Sequence, residues 1–166
     1  MAKKFIVEGF KVKADAATLD LKELYKRMWR WFEAMGYSAK ETEYREMSDA
    51  SGSQSLEIRW ECSRDEDSYA KHVIQIDFFL LGIKEVEVEK NGVQTKLMKG
   101  TFEIQIFAFM DRARGYDSSF LGYVKKWFED YLLKDRLDRQ EKNFRGEVEA
   151  LVAEIKVFFG LYGALV

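Results

Sequence analysis

The sequence predicts an α+β fold: an antiparallel meander sheet of about five strands, one helix in the N-terminal half and one or two helices at the C-terminal end. Three patterns carry this expectation. Leu56, Ile58, Trp60 and Cys62 alternate with Glu57, Arg59 and Glu61 as in a half-buried strand. Asn91-Gly92 lies between two strand-like runs, the strongest short signal for a hairpin. Apolar residues recur at helical spacing from Leu21 and again from Phe144.

In chain order, residues 4–13 alternate, but Phe5 and Val7 are odd-numbered while Phe10 and Val12 are even, so a bulge is expected at Gly9. Asp20 and Glu23 have capping-box spacing and open a helix. Leu21, Leu24, Tyr25, Met28, Trp31, Phe32 and Met35 form its apolar face, and Gly36 supplies a left-handed C-terminal cap.

Residues 42–47 read as a weak strand, and residues 48–53 as a loop. The run 64–68 reads as a turn between the Leu56 strand and one carrying Ala70, His72, Ile74, Ile76, Phe78 and Leu80 on one face. Placing Cys62 opposite Ala70 sets Trp60 opposite His72 and matches Glu61 with Lys71. From Asn91-Gly92, a two-residue loop pairs Val86 with Leu97 and Glu87 with Lys96. The core parities beyond need a one-residue shift, supplied by a bulge at Gly82 and Gly100. The expectation is a long bent hairpin, 69–90 against 93–111, whose tip forms an arm.

The C-terminal segment 118–162 reads as helical, capped at Asp117-Ser118-Ser119. One stripe comprises Phe120, Val124, Trp127, Phe128 and Tyr131, and a second comprises Phe144, Val148, Leu151, Ile155 and Phe158. The polar waist between them rotates the stripes to roughly opposite faces. The helix is therefore expected to be broken or bent near 134–146. Either an unbroken helix serves two bodies or the chain turns back.

At 166 residues with 47% hydrophobic content, a single domain over 1–166 is expected. No apolar stretch is long enough to span a bilayer, and the first residues lack a signal-peptide pattern. With the single Cys62, this points to the cytoplasm, without membrane attachment. A net charge of −2 gives no bulk attraction to nucleic acid, which is disfavoured but not excluded as a partner.

No strand leads into a glycine-rich phosphate loop, and one His and one Cys are too few for the usual zinc sets. Cys62 and His72 are diagonal neighbours in the expected register, yet both belong to an apolar face. Asp65, Glu66 and Asp67 read as a solvated turn. Residues 112–116 form a basic, aromatic loop able to contact phosphate, and Lys22, Lys26, Arg27 and Arg30 line a basic helix face. No residue is assigned as catalytic, cofactor-binding or metal-binding.

The leading expectation is a non-catalytic protein-interaction module or small homo-oligomer, its pathway unspecified. Phe144, Val148, Leu151, Ile155 and Phe158 are the interface candidates on the C-terminal segment, with Phe79, Leu81, Phe107 and Phe109 on the opposite sheet face. The alternative is a small-molecule-binding domain or enzyme with a pocket between the sheet and the C-terminal helix, its aromatic lining expected from Trp60, Phe78, Trp127 and Tyr131. A ribosome- or RNA-associated accessory protein comes third.

Overall fold

The computed structural model describes residues 2–67, 70–112, 123, 124, 127, 131, 132 and 134–161. Strands β1 (Ala2–Leu19), β2 (Ser38–Ser48), β3 (Gln54–Asp65), β4 (Ala70–Lys90) and β5 (Val93–Arg112) form one antiparallel sheet in the order β1-β5-β4-β3-β2. Helix α1 (Leu21–Ala34) joins β1 to β2, and helix α2 (Lys134–Leu161) follows the sheet in the chain. This is the expected α+β architecture.

Helix α1 begins and ends where local chemistry dictates. Asp20 accepts a hydrogen bond from the Glu23 amide at 3.1 Å, satisfying one of the orphan donors of the first turn. Gly36 takes φ +81°, which lets the Tyr37 amide donate to the Phe32 carbonyl at 2.8 Å. Leu21, Leu24, Met28 and Phe32 are buried on the inner face of the sheet, with Tyr25, Trp31 and Met35 packed against them.

The long hairpin forms in the expected register, with Val86 opposite Leu97 and Glu87 opposite Lys96. Asn91 and Gly92 both have positive φ, as a type I′ turn requires. The register shifts by one between Leu81 and Lys84, which keeps Phe78, Leu80 and Ile83 inside and sends Lys84 outward. Gly100 is obligatory there, because a Cβ would stand 2.8 Å from the Leu81 carbonyl oxygen. Gly100→Ala is therefore expected to cost about 1–3 kcal/mol in denaturant unfolding, the usual penalty for overpacking. A variant as stable as the parent would show that the bulge is soft.

Strands β3 and β4 pair four residues away from the expected register. Cys62 stands opposite Ile74 and Trp60 opposite Ile76, while Arg64 and Asp65 pair with His72 and Lys71. Strand β3 continues through the charged residues read as a turn. The tighter connection is held by Asp67, which accepts from the Ala70 amide at 2.8 Å, and by the Glu66 amide donating to the Ala70 carbonyl. Four is an even number, so the inward parity of both strands survives, but the Glu61–Lys71 match does not.

Strand β1 runs further than expected and breaks register between Phe5 and Val7, between Val7 and Phe10, and between Ala14 and Ala17. Gly9 takes φ +75°, in agreement with a bulge there. The doubled irregularity changes the buried set: Ile6, Val12, Ala14, Ala17 and Leu19 are inside, whereas Phe5 and Phe10 are exposed. Phe5 packs its ring 5.6 Å from that of Phe109 on the outer face.

Helix α2 runs unbroken through Gly146 and the polar waist, with no interruption between 134 and 161. Phe144, Val148, Leu151, Ile155, Phe158 and Phe159 join the inner core beside α1, β1 and the sheet. Val124, Trp127 and Tyr131, the described members of the first apolar stripe, are exposed. Phe120, Phe128 and the cap at 117–119 lie outside the described residues, as does the loop at 113–116. Among the described residues, no helix is long and apolar enough to cross a membrane.

Candidate functional site

Helix α2 meets its two neighbours unequally. Against α1, Leu151, Ile155 and Phe158 interlock with Leu24, Met28 and Trp31 and leave a gap of only about 10 Å³. Against β1, the helix stands off. A groove of about 480 Å³ runs between them, floored by Ile6, Val7, Val148 and Val152 and walled by Phe10 and Ala153, with Arg145, Glu149 and Lys156 at the rim. Two local causes open it. Register shifts on either side of Val7 interrupt the strand beside the helix, and small Ala153 adds little bulk on the helix side. Lys156 closes one end, its Nζ 5.1 Å from the centre of the Phe10 ring.

The volume falls in the range of small-molecule sites, and the lining is chiefly apolar with a few charges at the edge. It is not the aromatic pocket expected from sequence. Trp60 and Phe78 are buried in the core, their rings 4.9 Å apart, and Trp127 and Tyr131 are exposed. None of these four lines the groove. The residues that do were visible only as a β1 phase break and an α2 flank. A separate depression of about 390 Å³ lies at the hairpin bulge, lined by Ala16, Leu81, Lys84, Lys99 and Thr101.

The C-terminal interface candidates have a different fate. Phe144, Val148, Leu151, Ile155 and Phe158 are all buried by the chain's own sheet and helix α1, so their stripe needs no second copy to cover it. Of the sheet candidates, Phe79 and Phe107 are half-buried and Phe109 is buried, leaving Leu81 as the exposed one.

A polar cluster ties α2 to the end of the sheet. Arg64, at an inward position of β3, donates to the Met35 carbonyl at 2.7 Å, to Glu66 at 2.7 Å and to both carboxylate oxygens of Glu147 at 3.0 and 3.1 Å. Its guanidinium also lies 4.5 Å from the centre of the Tyr37 ring. Tyr37 in turn donates to Glu147 at 2.6 Å, and burial raises its hydroxyl pKa. Asp67 binds Arg136 and Gln140 of α2, and Lys4 and Arg112 bind Glu141. These contacts fasten α2 to the end of the sheet. The sequence signal was a charged residue, Arg64, at the same parity as Trp60 and Cys62.

His72 is buried as expected, but its ring stacks on Phe144 at 4.2 Å and not on Trp60. Its Nδ1 lies 3.2 Å from a Glu66 oxygen without hydrogen-bond alignment. Burial lowers its pKa, opposed by the Glu66 charge. The imidazole is thus neutral when folded and takes up a proton more readily when unfolded, so stability is complete above about pH 6.5 and falls as pH drops below it. Because His72 is the only histidine, His72→Gln should flatten the stability profile between about pH 7 and 5.5. An unchanged slope in urea titrations would exclude this assignment.

Cys62 remains a diagonal neighbour of His72 in the observed register, but it is fully buried, and burial pushes its thiol up to about 12. A protonated, inaccessible thiol is no nucleophile. Iodoacetamide should label it only at the rate of unfolding, and rapid native labelling would contradict this. Among the described residues, no group of three or more His, Cys, Asp or Glu side chains is placed to hold a metal ion. Comparison with protein-family models, curated proteins and solved structures finds no match to this chain.

Proposed function

We propose that this protein is a small-molecule-binding domain whose site is the groove between β1 and α2. The observation that carries the reading is the 480 Å³ trough itself, apolar on its floor and charged only at its rim, beside a helix packed tightly on its other side. It is a binding reading without a catalytic step, since the rim charges Arg145, Glu149 and Lys156 include no nucleophile poised beside a base. Titration with the neutral apolar fluorophore N-phenylnaphthylamine tests it. Binding should saturate at one site. Filling the trough by Ala153→Trp should weaken it about ten-fold or more, whereas Val157→Trp, at an exposed position of the same helix, should not. A parental protein that fails to bind the fluorophore would overturn the proposal.

A protein-interaction module or small homo-oligomer is the second reading, favoured by the outer face of the long hairpin. Leu81 is 53% exposed and Val93 64%, with Val88 also exposed, and alternation puts them on one side of the ribbon. Replacing residues 84–99 by a short turn should leave the domain folded and reduce any self-association seen by light scattering. A parent that stays monomeric at high concentration counts against this second reading.

A further inference from the structure

Resting on the groove reading, we infer that the ligand is an elongated amphipath with an anionic head seated at Lys156 and an apolar body lying along Ile6, Val7, Val148 and Val152. The rim charges are unequally compensated. Arg145 and Glu149 are one helical turn apart at one end of the trough and cancel in net charge there. Lys156 is eleven residues beyond Arg145, about 16 Å along the helix axis, and stands alone at the other end. Among the described residues, no carboxylate lies within ion-pair distance of it. Its nearest described aromatic partner is Phe10, and the neighbouring β1 cation Lys11 is engaged with Glu103 at 3.9 Å.

That arrangement sets the polarity of the occupant. A body filling the trough excludes water from Phe10 and from the underside of the Lys156 amine. A neutral head such as a hydroxyl offers the partly desolvated ammonium only an uncharged acceptor, and a cationic head adds repulsion. An anionic head supplies a charged acceptor, and so a charge-assisted hydrogen bond, at the place where the net charge is positive. At the Arg145 end an anion meets Glu149 as well, so the head belongs at Lys156. The length between the two ends suits an extended chain lying parallel to α2.

The test compares three probes of equal chain length below their micellar concentrations: decanoate, decanol and decyltrimethylammonium. Calorimetric titration should give decanoate a Kd about ten-fold below that of decanol, the scale of one charge-assisted hydrogen bond, with the ammonium weakest. Lys156→Met should bring decanoate to the affinity of decanol while leaving decanol unchanged, Lys156→Arg should keep the preference, and Lys13→Met should not alter it. If decanol and decanoate bind the parent equally, the anionic head is refuted and the groove reading stands. If none of the three binds, both fail.

Discussion

Replacing Phe144 with alanine is expected to lower the unfolding free energy by about 3–5 kcal/mol, the largest effect of any single truncation considered for this fold. The side chain is fully buried where α2 crosses the sheet, with its ring stacked parallel to His72 at 4.2 Å. Truncation leaves a cavity and also strips the apolar lid from an imidazole that has no aligned hydrogen-bond partner among the described residues. Val157→Ala, on the exposed side of the same helix, should change stability by less than about 0.5 kcal/mol. Urea unfolding at neutral pH measures both. Domains of ordinary stability have about 5–15 kcal/mol in hand, so the Phe144 variant should be marginal. A loss below about 1 kcal/mol would mean that α2 docks loosely and is not part of the core.

Arg64→Met should be the next most damaging change, costing about 2–4 kcal/mol. One guanidinium holds the α1 carbonyl of Met35, Glu66 after β3 and Glu147 on α2, so a single side chain links three parts of the fold. Methionine keeps much of the apolar stem but leaves the carboxylates of Glu66 and Glu147 facing each other in a site about four-fifths shielded from water. Arg64→Lys should recover part of the loss, because an ammonium restores the charge without the forked geometry. Adding Glu147→Gln to Arg64→Met should also relieve it, since the repulsion is removed with the partner. In a double-mutant cycle followed by thermal unfolding, additive losses would show that the two residues do not communicate.

The sequence made faces legible more readily than registers. Alternation placed Trp60, Cys62, Ile74 and Phe78 inward correctly even though β3 slides four residues along β4, because an even slide conserves parity. The Asn91-Gly92 turn fixed its own register because a two-residue loop allows no slack. The charged run after Cys62 misled, since Arg64 is held in the strand by Glu147, a partner 83 residues away. Likewise the helical spacing of Phe144, Val148, Leu151, Ile155 and Phe158 announced an apolar stripe without naming its cover. That cover is the inner face of the sheet together with α1, elements distant in the chain that no local pattern names.

The groove was the least legible feature. Phe10 and Lys156 are far apart in the chain, and the space beneath them depends on how far α2 stands from a strand with three register shifts. Its location can be read directly by methyl-labelled NMR of the full chain titrated with decanoate. Chemical-shift changes should concentrate at the methyls of Ile6, Val7, Val148, Val152 and Ala153, with Ile58, Ile74 and Ile76 in the core unmoved. Shifts confined to the outer sheet face around Leu81 and Val93, or spread evenly through the core, would contradict it.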